Sequence, residues 1–305
     1  MSELLGREGI LPLDKPAGPT SHDMVALARK AFGLRRIGHT GTLDPFASGL
    51  LLLCLGRATR LAEYFGGFAK EYVACARLGV RTTTDDPEGE VVAQTRLGPE
   101  LSPELVSATL QTFQGEIDQV PPIFSAKKIK GSSAYELARR GDKLVLPPVR
   151  VTVHEVVPES VDLPFVRFRV RCSSGTYIRA IARDLGERLG VGGHLTELRR
   201  VAIGPFRVEA ALSHDQLGDT EAVRAAWISP IRGLAHLPRL AVGADEAAAV
   251  ESGRFLPAPG EAEMEEGAPH LEEGKELTVT LGDRLVAVAV REGGRIRPRK
   301  VFPLD

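Results

Sequence analysis

The chain has 305 residues, 43% hydrophobic and 26% charged, with a formal net charge of −1. These are globular values that exclude a disordered or low-complexity chain and leave room for two domains, or one large one with an appendage. They also exclude a global nucleic-acid signature, so any basic surface must be local. From His236 onward there are 13 acidic against 9 basic residues, and before it 27 against 30. Cys54, Cys75 and Cys172 are odd in number, far apart and set in apolar or alternating runs. They read as buried free thiols of a reducing compartment, not as a zinc site. Met1 to Gly9 carries Glu3 and Glu8 without a long apolar core, and Leu50–Leu55 is too short to span a bilayer. A cytoplasmic protein with no membrane contact is expected.

Gly9 to Leu13 reads as a short strand ending in the turn Asp14-Lys15-Pro16-Ala17-Gly18-Pro19. Thr20 or Ser21 then caps a helix with Met24, Val25, Leu27, Ala28, Ala31 and Phe32 at helical spacing, stopped by Gly33. Gly38 to Gly49 places a His, two Thr and Asp44 in a loop punctuated by glycines, with Pro45 biasing Asp44 toward an extended backbone. Taken alone, that composition suits an ordinary turn as well as a reactive loop. Leu50 to Leu55 follows as a fully buried strand.

A short helix from Arg57 to about Gly66 leads to a strand from Lys70 to Gly79, in which Tyr72 shares a face with Ala74, Ala76 and Leu78. Thr82 to Val92 reads as a turn and return strand; its acids lack the later ligand of a calcium loop. A helix from about Pro103 to Phe113 precedes a basic insert holding Lys127, Lys128, Lys130, Arg139, Arg140 and Lys143, either a solvated face or a phosphate-gripping loop. Phe165 to Cys172 alternates strictly. One face is core, and Arg167, Arg169 and Arg171 form a ladder that is solvated, paired with acids or turned to phosphate. Arg179 falls in the first turn of the next helix, where the dipole disfavours a cation and a specific anionic partner is implied. Beyond Leu234 come an Ala-rich helix (Asp245–Ser252), an acidic Pro/Gly loop, and strands at Leu277–Leu281 and Leu285–Val290.

Gly38-His39-Thr40-Gly41-Thr42-Leu43-Asp44-Pro45-Phe46-Ala47-Ser48-Gly49 resembles the catalytic loop of the TruB family of pseudouridine synthases, Gly-His-x-Gly-x-Leu-Asp-Pro-x-Ala-x-Gly-x-Leu, at every fixed position. The Lys-Pro-x-Gly turn at Lys15, the Lys-x-Tyr of Lys70 to Tyr72, Gly175-Thr176-Tyr177-Ile178-Arg179, and Leu198 to Phe206 are similar to further motifs of the family. Val201 and Ser48 depart from it where Thr is usual. The resemblance implies an α+β pseudouridine synthase fold on a mixed, largely antiparallel sheet flanked by helices. Its catalytic domain would be residues 1–235, with the gripping insert at about 125–148, followed by a small PUA-like β domain at 236–305.

It further implies a stand-alone tRNA pseudouridine synthase acting on the uridine at position 55, in the TΨC loop of the T stem-loop, and assisting tRNA folding by binding. Asp44 would be the nucleophile, Tyr72 the group packed on the base and removing the C5 proton, and Arg179 the partner of Asp44. His39 would fill the gap left by the flipped base, Tyr177 and Leu198 would wall the pocket, and Lys15 would contact substrate. No metal, no cofactor and no obligatory protein partner are expected, and the enzyme would be a monomer. A non-catalytic RNA-binding protein, a nucleosidase-like hydrolase using Asp44, and the RNA-guided branch of the family are the rival readings.

Overall fold

β3 (Ser48–Leu55) lies inside the main sheet, and its side chains are divided between two cores. Leu50, Leu52 and Cys54 join one apolar cluster; Leu51, Leu53 and Leu55 join another. The continuous leucine run thus answers to burial on both faces, each fully buried leucine contributing about 1.5–3 kcal/mol. The computed structural model describes residues 8–124, 146–258 and 272–303, with the backbone of 128–129 and 132–133. Most of the expected gripping insert and the middle of the acidic loop lie outside the described residues.

The other strands of this sheet are β1 (Gly9–Lys15), β2 (Ile37–His39), β4 (Lys70–Leu78), β7 (Gly115–Gln119), β8 (Val149–Asp162), β9 (Phe165–Cys172), β10 (Gly193–Ile203), β11 (Phe206–Arg207) and β12 (Leu212–Ser213). β5 (Val80–Thr82) and β6 (Val91–Gln94) form a separate ribbon around the 83–90 turn. The ten-stranded order is β12-β1-β3-β10-β4-β9-β8-β7, with β2 on β3 and β11 on β10. Only β1–β12 and β3–β10 are parallel pairs, so the sheet is mixed and largely antiparallel.

α1 (Ser21–Phe32) starts on Thr20, whose hydroxyl accepts from the Asp23 backbone N–H while Asp23 caps back, and it stops at Gly33 in the left-handed region. α2 (Ala62–Gly66) continues a 3-10 turn over Gly56–Leu61. α3 (Pro103–Gln111) and α4 (Ile178–Arg188) close one core, with Val106, Leu110, Ile181 and Leu185 packed on Phe168 and Val170 of β9. Across the sheet two arginines of the ladder are paired with acids. Arg167 meets Glu197 at 2.8 Å, and Arg169 meets Glu71 at 3.0 Å and Glu159 at 3.2 Å.

The C-terminal sheet has the order β13-β15-β16-β17-β14, from β13 (Arg239–Ala241), β14 (Leu256–Pro257), β15 (Glu276–Leu281), β16 (Arg284–Glu292) and β17 (Arg295–Val301). α7 (Ala244–Glu251) packs on it, after the short α5 (Thr220–Ala226) and α6 (Pro230–Gly233). Its core is its own, yet Leu285, Val288 and Phe302 enter the cluster of Leu61 and Phe65. Arg60 donates to the Val301 carbonyl at 2.6 Å and Lys300 pairs with Glu63, which fastens this unit to the helical turn after β3. Among the described residues no helix is long and apolar enough to cross a membrane.

Gly49, the second residue of β3, shows why glycine is needed where the loop enters the sheet. Its φ is 105°, and a Cβ there would lie 2.3 Å from the Arg200 carbonyl oxygen and 2.8 Å from the Arg200 nitrogen. Gly49→Ala is therefore expected to destabilise the fold by at least about 2–3 kcal/mol, combining a left-handed backbone with a backbone clash. A urea midpoint equal to that of the unsubstituted protein would contradict this.

Candidate active site

Between β2 and β3 the loop from Thr40 to Ala47 is held from both ends. Leu43 and Ala47 are buried in the core beneath α4. The Leu43 N–H donates to Ser21 Oγ at 2.9 Å, and that hydroxyl donates back to the Leu43 carbonyl at 3.1 Å. Asp44 sits between these anchors, so its carboxylate has little freedom to swing.

Lys15, expected to contact substrate, lies beneath the loop instead. It is fully buried, and its ammonium donates to the carbonyls of Pro16, Pro19 and Pro45 at 2.8, 2.7 and 3.2 Å. Three carbonyls occupy its three donors, leaving none for a ligand. The Lys-Pro turn thus ties the β1–α1 corner to the Asp44-Pro45 bend.

Across from Asp44 the start of α4 presents Tyr177 and Arg179, braced by Gln119 at the end of β7. Gln119 accepts from the Tyr177 N–H at 2.8 Å and donates to its carbonyl at 3.0 Å, supplying the helix start with the cap that Tyr177 lacks. The Arg179 side chain is 4% exposed. Its Nε lies 3.0 Å from Asp44 Oδ2, and its Nη1 lies 2.9 Å from Asp86 Oδ2. It also donates to the carbonyls of Thr84 and Phe124 at 3.0 and 2.8 Å. Two carboxylates and two carbonyls answer the anionic partner that its first-turn position demanded. Asp86, buried in the β5–β6 turn, also accepts from the Glu88 N–H and the Thr84 hydroxyl. In the sequence this aspartate reads only as an acid of an incomplete calcium loop, and the Asp86-Pro87 turn is the one local signal of its place.

These groups line a cavity of about 290 Å³ with Thr40 to Asp44, Lys70, Tyr72, Ser174 to Arg179, Leu198 and Arg200. That is the low end of the range of small-molecule sites, roughly 300–1,000 Å³, and suits one planar ring better than an extended ligand. Tyr72, Tyr177 and Leu198 are all in its wall. His39 is not; its ring stands edge-on to that of His22 at 5.8 Å, outside the cavity. Lys70 and Arg200 are also buried in the wall; both lie in family-like motifs of the sequence that assign them no role. A larger cleft of about 830 Å³ beside α4 is lined by Asp85, Arg183 and Asp184, which already pair with one another. Among the described residues no group of three or more His, Cys, Asp or Glu could hold a metal ion.

The Asp44 side chain keeps 34% of its surface, open toward the cavity. Burial pushes its pKa up, the Arg179 guanidinium opposes this, and Asp86 adds to the rise. Activity that needs the Asp44 carboxylate should therefore fall, as pH is lowered, at a higher pH than an exposed aspartate would give. A single-turnover rate that stays flat down to the ordinary aspartate range would contradict this. Burial also pushes the Tyr72 phenol up, with Arg200 pulling it down.

Residues 29–178 match the TruB family pseudouridylate synthase (N terminal domain), and residues 179–230 match the tRNA pseudouridylate synthase B C-terminal domain. The tRNA pseudouridine synthase B of Thermobifida fusca is 48% identical over 74% of this chain and 82% of that protein. That of Geobacillus thermodenitrificans is 37% identical over 97% and 99%. Among solved structures, a Cbf5-Nop10-Gar1 complex contains a chain with a TM-score of 0.75 and 30% identity, covering 99% of this chain and 87% of that one. The archaeal box H/ACA sRNP Nop10-Cbf5 complex gives 0.72 and 28%, covering 99% and 88%. On these matches the chain belongs to the TruB family of pseudouridylate synthases, enzymes that isomerise uridine to pseudouridine.

Proposed function

We propose that this enzyme converts the uridine of the TΨC loop of tRNA to pseudouridine as a stand-alone monomer, with Asp44 as nucleophile. The observation that carries the reading is the Arg179 bridge, which sets an anchored carboxylate at the edge of a cavity sized for one base. Tyr72 packs on the uracil, Tyr177 and Leu198 wall it, and His39, outside the cavity, fills the gap left in the RNA. A base stacked in folded tRNA has to be flipped out, at a cost of a few kcal/mol that stacking in the pocket offsets. Asp44 assists cleavage of the C–N glycosidic bond, and the arginine beside it favours the charged form the nucleophile needs.

Residues 1–235 would form the catalytic domain and 236–305 a PUA-like RNA-binding domain. These and the basic insert would hold the stem by phosphate and shape. Binding of that kind also serves tRNA folding. Identities of 37–48% to proteins named tRNA pseudouridine synthase B, against 28–30% to the chains from H/ACA complexes, favour the stand-alone enzyme over the RNA-guided branch.

The test is to incubate the protein with unmodified tRNA transcript and map pseudouridine along it. Modification confined to the TΨC-loop uridine is expected. Modification elsewhere would move the site, free uracil would indicate a hydrolase, and binding without product would leave only an RNA-binding protein.

A further inference from the structure

Arg200 is 1% exposed. Cross-strand register makes it the Cα partner of Tyr72 on β4 and of Gly49 on β3, so its side chain leaves the sheet on the same face as Tyr72. Nε donates to the Leu50 carbonyl at 2.8 Å, and Nη2 donates to the Gly41 carbonyl at 3.0 Å. The guanidinium therefore joins the two legs of the loop that carries Asp44, and it lines the cavity close enough to Tyr72 to bias ionisation of the phenol. No carboxylate lies within ion-pair distance of it among the described residues, an unusual state for a buried guanidinium.

The other charged groups around the phenol do not take its place. Arg179 is matched by Asp44 and Asp86. Lys70, two residues along β4 on the same face, donates to the carbonyls of Gly66 and Phe68, and burial pushes it down to about 8. Burial pushes the Cys172 thiol on β9 up to about 11, and both Cys172 and Asp44 act against phenolate formation. Arg200 is the permanent cation left facing Tyr72.

We propose that Arg200 is a positioning residue for the reaction, holding the Asp44 loop closed and supplying the charge that lets Tyr72 accept the C5 proton. This rests on the reading of Tyr72 given above. Once C5 is joined to the sugar, the C5–H bond breaks and its proton passes to the phenolate oxygen. The C–H electron pair forms the C5–C6 double bond, the pair between N1 and C6 returns to N1, and N1 takes a proton from solvent. Uridine and pseudouridine thus balance with no other reactant.

The chain has four tyrosines, so protein labelled with 3-fluorotyrosine presents a fluorine spectrum in which Tyr72 is assigned by its loss in Tyr72→Phe. Two variants separate charge from hydrogen bonding: Arg200→Gln keeps an amide donor near the carbonyls without charge, and Arg200→Lys keeps the charge. Arg200→Gln should move the Tyr72 titration to higher pH and slow single-turnover pseudouridine formation on pre-bound tRNA by about 10²–10³-fold, as when one preorganised donor is lost. Arg200→Lys should restore the titration and most of the rate. In a Tyr72→Phe background, Arg200→Gln should cost little further.

An unmoved titration, or rate losses of Arg200→Gln and Tyr72→Phe that multiply, would show Arg200 to be only a strut and overturn the proposal. A wild-type rate in Tyr72→Phe alone would remove Tyr72 from the chemistry. The proposal would then fall with that reading, whatever Arg200 does.

Discussion

Asp44→Asn is expected to lower pseudouridine formation by at least about 10⁴-fold, the scale of losing a catalytic carboxylate. RNA affinity should stay within about threefold, under 1 kcal/mol. The argument for so clean a separation is local. Asn is isosteric with Asp, and the loop is anchored by Leu43, Ala47 and the reciprocal Ser21–Leu43 bonds, none of which involves the carboxylate. Arg179 keeps Asp86 and two carbonyls, so no buried charge is left without a partner. Thermal stability should be preserved or slightly raised, because a desolvated carboxylate is replaced by a neutral amide. Single-turnover rates and filter binding on the same transcript measure both quantities. A rate within tenfold of wild type would remove Asp44 from the chemistry.

Arg179→Met is expected to cost more in stability than in binding. It removes the cation that Asp44 and Asp86 share, leaving two carboxylates in one desolvated space, and breaking a buried pair costs about 3–5 kcal/mol. With the cation gone, the Asp44 pKa rises further, because burial and the charge on Asp86 both act in that direction. The acid limb of the rate profile should therefore move to higher pH, and the protein should regain stability as the pH is lowered and a carboxylate protonates. The sign is opposite to that of an ordinary salt-bridged aspartate, whose contribution to stability is lost in acid. Chemical denaturation at two pH values is enough to see it. Equal destabilisation at both would mean that the two carboxylates do not interact.

How far the sequence could be read depended on the range of the interaction involved. The α1 boundaries follow from Thr20, Asp23 and Gly33, within one stretch of chain, and the alternation of Phe165 to Cys172 gave β9 its buried face. The Asp44 loop was legible because its glycines, Pro45 and the leucine run sit side by side. The roles of Lys15, Asp86 and Arg200 were not. Lys15, expected to contact substrate, instead has the Pro45 carbonyl, 30 positions away, brought onto its ammonium. Whether Arg167 and Arg169 of the ladder met phosphate or acid was decided by Glu71 on the adjacent β4 and Glu197 on β10 beyond it.

By itself, then, the sequence determined the period of each strand, the caps of its helices and the motif that marks the reactive loop, since these rest on backbone preferences and on which face a residue presents. Tertiary structure alone decided which charges share a site. Arg179 reaches Asp86 across 93 residues and Asp44 across 135, and a Coulomb partner is chosen by distance in space, which no local pattern records.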